Sequence, residues 1–374
     1  MANKYYIGAS AGTWNTAGNW SGGLPAAGDD IFVTGNIAAN SFINVNTVIP
    51  TINSLTIGDS TSPFFRWYLA GTAATNAGTS IWTLTSSQTT ISVGAGAYTT
   101  ASLIPDATLN IPISGSGKIV KTGAGALSFE TAASNTWTGG IDLLTGSVGV
   151  NNANNKLGTG QINLYNNTGL FNVNTGTTYS LQNNIALVGS SVYFNNLTSA
   201  QLTLAGNIDL GSGTKTITNN SALLMSGIIS GSANLIKSGS GALSLSRANT
   251  YTGNTTLAVG SVNVGADNAF GGNTTASLVL SGVTLTNTGS VFTTNRNITL
   301  SSGTSNSING AITINNSIAG GGNLSHTTSE MILNASNSIG NITIGASSII
   351  SAYHSNSLGG GGTILFSAPS ARLN

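Results

Sequence analysis

Ile113-Ser114-Gly115-Ser116-Gly117-Lys118-Ile119-Val120-Lys121-Thr122-Gly123-Ala124-Gly125-Ala126-Leu127-Ser128-Phe129 decides the fold, because most of it is written a second time. The second copy is Ile229-Ser230-Gly231-Ser232-Ala233-Asn234-Leu235-Ile236-Lys237-Ser238-Gly239-Ser240-Gly241-Ala242-Leu243-Ser244-Leu245. The correspondence continues past both. Asn135-Thr136-Trp137-Thr138-Gly139 is answered by Asn249-Thr250-Tyr251-Thr252-Gly253, Gly146-Ser147-Val148 by Gly260-Ser261-Val262, and Leu157-Gly158 by Phe270-Gly271. A degenerate third copy runs from Ile318 through Gly322, Leu324, Asn337 and Gly340 to Leu358-Gly359. Self-similarity of this kind marks units that cannot bury an apolar side alone and must stack on their neighbours.

Within and around the copies, apolar and polar residues alternate in short pieces. Examples are Leu55-Thr56-Ile57, Leu109-Asn110-Ile111, Leu202-Thr203-Leu204, Val262-Asn263-Val264, Ile312-Thr313-Ile314 and Ile342-Thr343-Ile344. A period of two predicts half-buried strands. Between them lie turn-forming clusters such as Gly94-Ala95-Gly96, Gly211-Ser212-Gly213, Asn315-Asn316 and Gly320-Gly321-Gly322. No amphipathic helix pattern stands out. The paired glycines Gly123/Gly125 and Gly239/Gly241 are expected to supply positive φ where the chain turns a corner.

These residues resemble the autotransporter-associated β-strand repeat, whose pattern is a Gly-rich G-x-L-x-K-x-G-x-G-x-L-x-L followed by N-T-Y-T-G and G-x-L-x-V. The match is close over 113–150 and 229–264. It is poor over 318–374, where His326 stands in the lysine's place and the paired glycines are lost. The resemblance implies a right-handed parallel β-helix, common in secreted adhesin or passenger regions. It gives Lys121, Gly123, Gly125, Leu127, Trp137 and Gly139 structural roles, and likewise Lys237, Gly239, Gly241, Leu243, Tyr251 and Gly253, with no active site among them. Gly12-Thr13-Trp14-Asn15, Asn19-Trp20-Ser21, Pro25 and Gly28-Asp29-Asp30 resemble the Trp-rich segment that often precedes such repeats, and Leu55-Thr56-Ile57-Gly58 the strand after it.

The expectation is therefore an all-β chain: a right-handed parallel β-helix, or β-solenoid, with an N-terminal capping segment. Residues 1–112 hold the cap and first strands. Residues 113–374 hold the repeat solenoid, with copies near 113–165, 229–281 and 318–366, and coils of about 20–30 residues. The cap is assigned to 1–50, with Trp14, Trp20, Pro25 and Phe32. Thr363-Ile364-Leu365-Phe366 reads as the opening of a further coil, and Ala371-Arg372-Leu373-Asn374 offers no cap to an exposed strand edge.

Composition narrows the function. The chain has 374 residues, of which only 5% are charged, against roughly 25% in an ordinary globular protein. Its formal net charge is +1 and its cations are scattered, so it lacks the clustered cations that displace counterions from nucleic acid. Hydrophobic residues make up 40%, too many for a disordered chain. There are no cysteines, hence no disulfide or thiol chemistry. No apolar run reaches the ~20 residues of a membrane helix. Read as a native start, Met1-Ala2-Asn3-Lys4-Tyr5-Tyr6 carries no secretory signal, which points to release by another route, for instance inside a virion.

The search for chemistry returns little. Glycoside hydrolysis needs two carboxylates roughly 5–9 Å apart; Asp29-Asp30 is the only adjacent pair and reads better as the end of a turn, while Asp142 and Asp209 carry no distinguishing context. His326, His354 and Glu330 hold metal-ligand chemistry, but in strand spacing they do not converge. Gly359–Gly362 has no Asp for a calcium repeat. The Gly-x-Gly patterns lack a strand-to-helix context and read as solenoid corners, not phosphate loops. Catalytic, cofactor and metal residues are all expected to be none. Trp67-Tyr68, beside Phe64-Phe65 and Arg66, suits either sugar stacking or a buried plug, and the plug is preferred.

The favoured function is a non-enzymatic structural or attachment protein of a bacteriophage virion (a fibre, spike or capsid decoration) presenting a polar surface for assembly or host-glycan contact. The alternative is a secreted or cell-surface autotransporter-type passenger or adhesin of a Gram-negative bacterium. A polysaccharide-degrading β-helix enzyme ranks below both. Ice binding through Thr284-Leu285-Thr286 and Thr83-Leu84-Thr85 ranks last, since those pairs do not recur at coil spacing. Expected partners are virion or cell-surface proteins covering the end coils, further copies of the chain, and a cell-surface glycan, with no nucleic acid and no membrane span.

Overall fold

The structure, a computed structural model, describes residues 2–9, 12–34, 41–45, 47, 49–58, 67–71, 82–85, 87–94, 106–130, 135–150, 157–173, 178–196, 201–359 and 362–374. The chain is an all-β, parallel β-solenoid of about 13 turns. It divides into two compact units, Met1–Gly206 and Asn207–Asn374.

In the first unit two long parallel ladders dominate. One runs Asn3–Tyr5, Asp30–Val33, Ser54–Ile57, Gln88–Val93, Lys118–Thr122, Ile141–Leu143, Ile162–Leu164, Ile185–Leu187. The other runs Gly12–Thr13, Ser41–Val45, Trp67–Gly71, Ala107–Asn110, Ala126–Phe129, Ser147–Val150, Thr168–Asn172, Ser191–Asn196. Partners from Ile119 through Ile141 and Ile162 to Ile185 lie 21 to 23 residues apart. An earlier coil is longer, with Leu55 paired to Ile91.

Three ladders dominate the described residues of the second unit, beside a short pairing of Ile208–Asp209 with Ile229–Ser230. The first takes Thr214–Asn219, Asn234–Ser238, Thr255–Leu257, Leu278–Leu280, Ile298–Leu300 and Ile318–Ala319. The second takes Leu223–Met225, Ala242–Leu245, Gly260–Val264, Val283–Asn287, Ser305–Asn309, Asn323–His326, Ile342–Ile344 and Ile364–Phe366. Phe292–Thr294, Ile312–Ile314, Ser329–Leu333, Ser348–Ala352 and Arg372–Leu373 make the third. Its coils are mostly 20 to 23 residues long.

Alternation explains why these strands form and stay in register. Ile31, Leu55, Ile91, Leu143, Leu164 and Leu187 sit in one inward row of the first unit, all buried. A slip of one residue would turn such a row out into water. Lys121 occupies the place between Ile91 and Leu143 in that same row. In the second unit Lys237 takes the place between Ile217 and Leu257. A cation set in an aliphatic row needs its own explanation.

At the start of the chain Tyr6, Trp14 and Trp20 form a buried cluster, with ring centroids of Trp14 and Trp20 4.8 Å apart. Trp20 Nε1 donates to Trp14 O at 2.7 Å. The carboxylate of Asp29 accepts the Ala2 and Ala26 N–H groups at 2.9 and 3.0 Å, and Asp30 Oδ1 accepts from Asn53 Nδ2 at 2.6 Å. Asp29 thus holds the turn into Asp30–Val33, and Asp30 ties that strand to the next coil. Among the described residues no helix is long and apolar enough to cross a membrane.

Candidate functional site

The coil corners are where the repeat residues meet. Lys121 Nζ donates to the carbonyls of Thr122 and Gly123, both at 2.8 Å, and of Thr145 at 3.2 Å. Lys237 Nζ donates to Ser238 O at 3.3 Å, to Gly239 O, and to Val259 O at 2.9 Å. Three N–H groups meet three carbonyls that the corner would otherwise leave unpaired. Burial pulls Lys121 down to about 7, with Asp106 pulling it back, and Lys237 to about 8. The carbonyl cradle works against that pull by favouring the ammonium.

The glycine of Gly-Ser-Val makes room for this cation. Gly146 has φ +76, and a Cβ on it would fall 2.9 Å from Lys121 Nζ and 2.5 Å from Gly125 O. Gly260 repeats the arrangement, with Lys237 Nζ 2.8 Å from the site of a Cβ. The paired glycines divide their labour differently from the sequence expectation. Gly123 and Gly239 do have positive φ, +75 and +81. Gly125 and Gly241 do not; there a Cβ would stand 2.0 Å from Gly94 O and 2.3 Å from Ser221 O. Those two are glycine because the neighbouring coil's backbone comes too close for any side chain. Gly139 and Gly253 have the same reason, with carbonyls of Gly117 and Ala233 at 2.1 and 2.2 Å.

Leu127, Leu243, Trp137 and Tyr251 are all buried. Tyr251 Oη is hydrogen-bonded to Thr255 Oγ1 at 2.7 Å, and burial pushes the phenol up to about 12. Trp137 lies against Phe129 with ring centroids 5.8 Å apart, and its Nε1 has no partner among the described residues. Where the second copy has Thr255, six places after its asparagine, the first has Ile141, which offers no acceptor. Thr255→Val is expected to cost about 1–3 kcal/mol by orphaning the hydroxyl, whereas Tyr251→Phe with Thr255→Val removes both partners and regains most of it. Urea melts of the two variants check this. Equal losses would sink the assignment.

The asparagine of each Asn-Thr-aromatic-Thr-Gly motif braces the preceding coil. Asn135 Oδ1 accepts the Ile113 N–H at 2.7 Å, and Asn249 Oδ1 accepts that of Ile229 at 2.8 Å. In the degenerate copy Asn337 Oδ1 accepts the Ile318 N–H at 2.6 Å. So the third copy keeps the brace although Ile339 replaces the aromatic residue. The corner glycines that follow, Gly158, Gly271 and Gly359, all have positive φ, from +62 to +92.

Each of the first two of these corners has its own cap, which sequence reading missed. Asn183 Nδ2 donates to the carbonyls of Leu157, Gly158 and Gly160, at 3.3, 3.2 and 2.7 Å. At the second corner the work falls to Arg296. Its Nη2 donates to Gly271 O at 2.8 Å, its Nη1 to Asn273 O at 2.7 Å, and its Nε to Asp267 Oδ1 at 2.9 Å. Arg296 is 1% exposed, a buried cation in a chain with very few charges. Both caps stand 25 residues after the glycine they serve. Aligning the copies one coil further would have found the pair.

The residues weighed for catalysis and metal binding are engaged elsewhere. Asp142 meets Lys118 Nζ at 3.1 Å and Asn163 Nδ2 at 2.6 Å; in the other unit, Asp209 Oδ1 accepts the Gly211 N–H at 2.8 Å. Glu330 Oε1 accepts from Ser351 Oγ at 2.5 Å. His354 Nδ1 accepts the Asn356 N–H at 3.3 Å. No three metal-type side chains gather among the described residues. The side chains of Phe64, Phe65, Arg66, Trp67 and Tyr68 lie outside the described residues.

His326 is fully buried, with Nδ1 2.5 Å from Ile308 O and Nε2 3.2 Å from Ser329 O. It thus meets two backbone carbonyls from the lysine's place in the repeat, and a neutral imidazole donates to one of them. Burial lowers its pKa below 6.5, more than the two carbonyls raise it. The unfolded chain therefore binds this proton more readily, so stability is complete above pH ~6.5 and falls as the pH drops below it. The urea midpoint should decline as the pH falls from about 6.5 to 5, and His326→Gln should flatten that decline. An unchanged slope in the variant would refute the assignment.

The family model for the passenger-associated-transport-repeat matches residues 119–150 and 235–264. No curated protein and no solved structure matches the chain. The matched segments contain both lysine cradles, both glycine pairs, and the Asn-Thr-aromatic-Thr-Gly braces. With those repeats wound into parallel coils, the chain is a parallel β-solenoid in which two segments match the passenger-associated-transport-repeat.

Proposed function

We propose that the chain is a secreted or cell-surface passenger of a Gram-negative bacterium, acting without catalysis as a shaft that carries an adhesive, polar surface. The observation behind this is that the family match falls on residues consumed in supporting the backbone: Lys121 and Lys237 with their carbonyls, and Asn135 and Asn249 with the preceding coil. The carboxylates weighed for hydrolysis are each held by a structural partner. The comparisons favour this reading over the virion component, for which they offer no support. A nearly uncharged exterior also suits a protein that must stay hydrated by amides and hydroxyls over a range of salt.

Localisation tests it. Protease treatment of intact cells of the encoding organism should remove the protein, and an antibody against residues 207–374 should label those cells unpermeabilised. Recovery only from the cytosol, or co-purification with phage particles, would overturn the proposal. Release of reducing sugar from envelope polysaccharide by the purified chain would overturn its non-catalytic part.

A further inference from the structure

The second unit carries a groove of about 340 Å³ on the outer face of its longest ladder, across Ser305–Asn309, Asn323–His326, Ile342–Ile344 and Ile364–Phe366. One wall is Asn323, Asn341 and Thr363; the other is Ser325, Thr343 and Leu365. Register puts Ser325 beside Thr343 and Thr343 beside Leu365. We propose that this groove binds a short, linear, neutral oligosaccharide. The inference deepens the passenger reading, on which it rests for the setting in which a glycan is met.

Uncommitted hydrogen-bonding groups point to the ligand class. Asn323 Oδ1 accepts the Asn341 N–H at 2.9 Å, and Asn341 Oδ1 accepts the Thr363 N–H at 2.9 Å. Those bonds fix the orientation of both amides and leave their Nδ2 groups as donors without partners among the described residues. The hydroxyls of Ser325, Thr343 and Thr363 are uncommitted in the same sense. Leu365, 57% exposed, adds an apolar surface at the end of the row. Sugars need this combination: hydroxyls that both donate and accept, beside ring C–H faces that take apolar contact.

Charge and topology remove the competitors. No charged side chain lines the groove, so phosphate, sulfate and uronate groups would lose water with no cation to replace it. A peptide strand would dock on a free sheet edge. The groove instead lies on strand faces, and three of its four strands, Ser305–Asn309, Asn323–His326 and Ile342–Ile344, are paired on both sides. Each coil repeats the two walls at about 4.8 Å, close to the length of one pyranose ring, so a linear chain laid across the coils meets a fresh pair of walls at each ring. The volume lies near the low end for small-molecule sites; it admits a short segment.

The test uses the intact chain with cellotetraose, chitotetraose and maltotetraose as probes, and a heparin tetrasaccharide as the charged control. Saturation-transfer NMR and calorimetry should find at least one neutral probe bound with Kd of about 1 mM or tighter, and the heparin fragment should not compete. Thr343→Val with Ser325→Ala should weaken binding about fivefold and Leu365→Lys about tenfold, with unfolding midpoints unchanged. Absence of transfer from all three neutral probes overturns the proposal, as does equal binding by the variants. A surface-displayed chain that binds none of them leaves the passenger reading intact and removes this one. A cytosolic chain that binds through these residues does the reverse.

Discussion

Replacing Arg296 with methionine should cost the second unit about 3–5 kcal/mol of stability, the loss typical of a buried ion pair broken on one side. The guanidinium is almost completely enclosed, and Asp267 beside it is only 13% exposed. Methionine fills part of the space, but it leaves the carboxylate without its cation and the carbonyls of Gly271 and Asn273 without donors. The first repeat carries a different pair of residues at the corresponding sequence positions. Asn183 serves that corner from the arginine's place, and in the sequence alone Asn154 aligns with Asp267. Arg296→Asn with Asp267→Asn copies that pair and should recover more than half of the loss, whereas Arg296→Asn alone should not. Urea denaturation followed by far-UV circular dichroism reads the difference. Tryptophan fluorescence does not, because all five tryptophans precede residue 207. A single variant as stable as the double would show that the ion pair carries no weight.

The second large effect separates two reasons for being glycine. Gly239 and Gly213 have the same backbone angle, φ +81. Alanine is strained at either, by about 1–3 kcal/mol. Their surroundings differ. A Cβ on Gly213 would meet nothing within 4 Å, while one on Gly239 would stand 2.3 Å from Asn219 O and 2.7 Å from its carbonyl carbon. Backbone cannot swing aside as a side chain can, so Gly239→Ala must push two coils apart. The expected penalty is a further 1–3 kcal/mol, roughly, beyond that of Gly213→Ala. Denaturation midpoints compared between the two variants test this directly. Matching losses would mean that torsional strain, and not coil spacing, selects glycine at position 239.

Much of the architecture was legible because its rules are local. Alternation in Leu55-Thr56-Ile57 or Ile312-Thr313-Ile314 states which side is buried without reference to any distant residue. Positive φ at Gly123 and Gly239 could be anticipated for the same reason. What escaped depends on the coil above or below. Gly125 and Gly241 are dictated by neighbouring backbone, and Arg296 by a carboxylate 29 residues earlier. Asn183 escaped differently: in a chain so rich in asparagine, one structural amide does not stand out. Nor could the outer groove be read, because its walls are assembled from successive coils.

Nearly every brace described above closes a loop of some twenty residues, as Asn135 does to Ile113 and Asn249 to Ile229. Such a molecule needs no distant segment in order to complete its next increment, so the entropic cost of closure stays small and nearly constant at each step. A polypeptide threaded end-first through a narrow opening could therefore set each winding as it emerges, upon the one already in place.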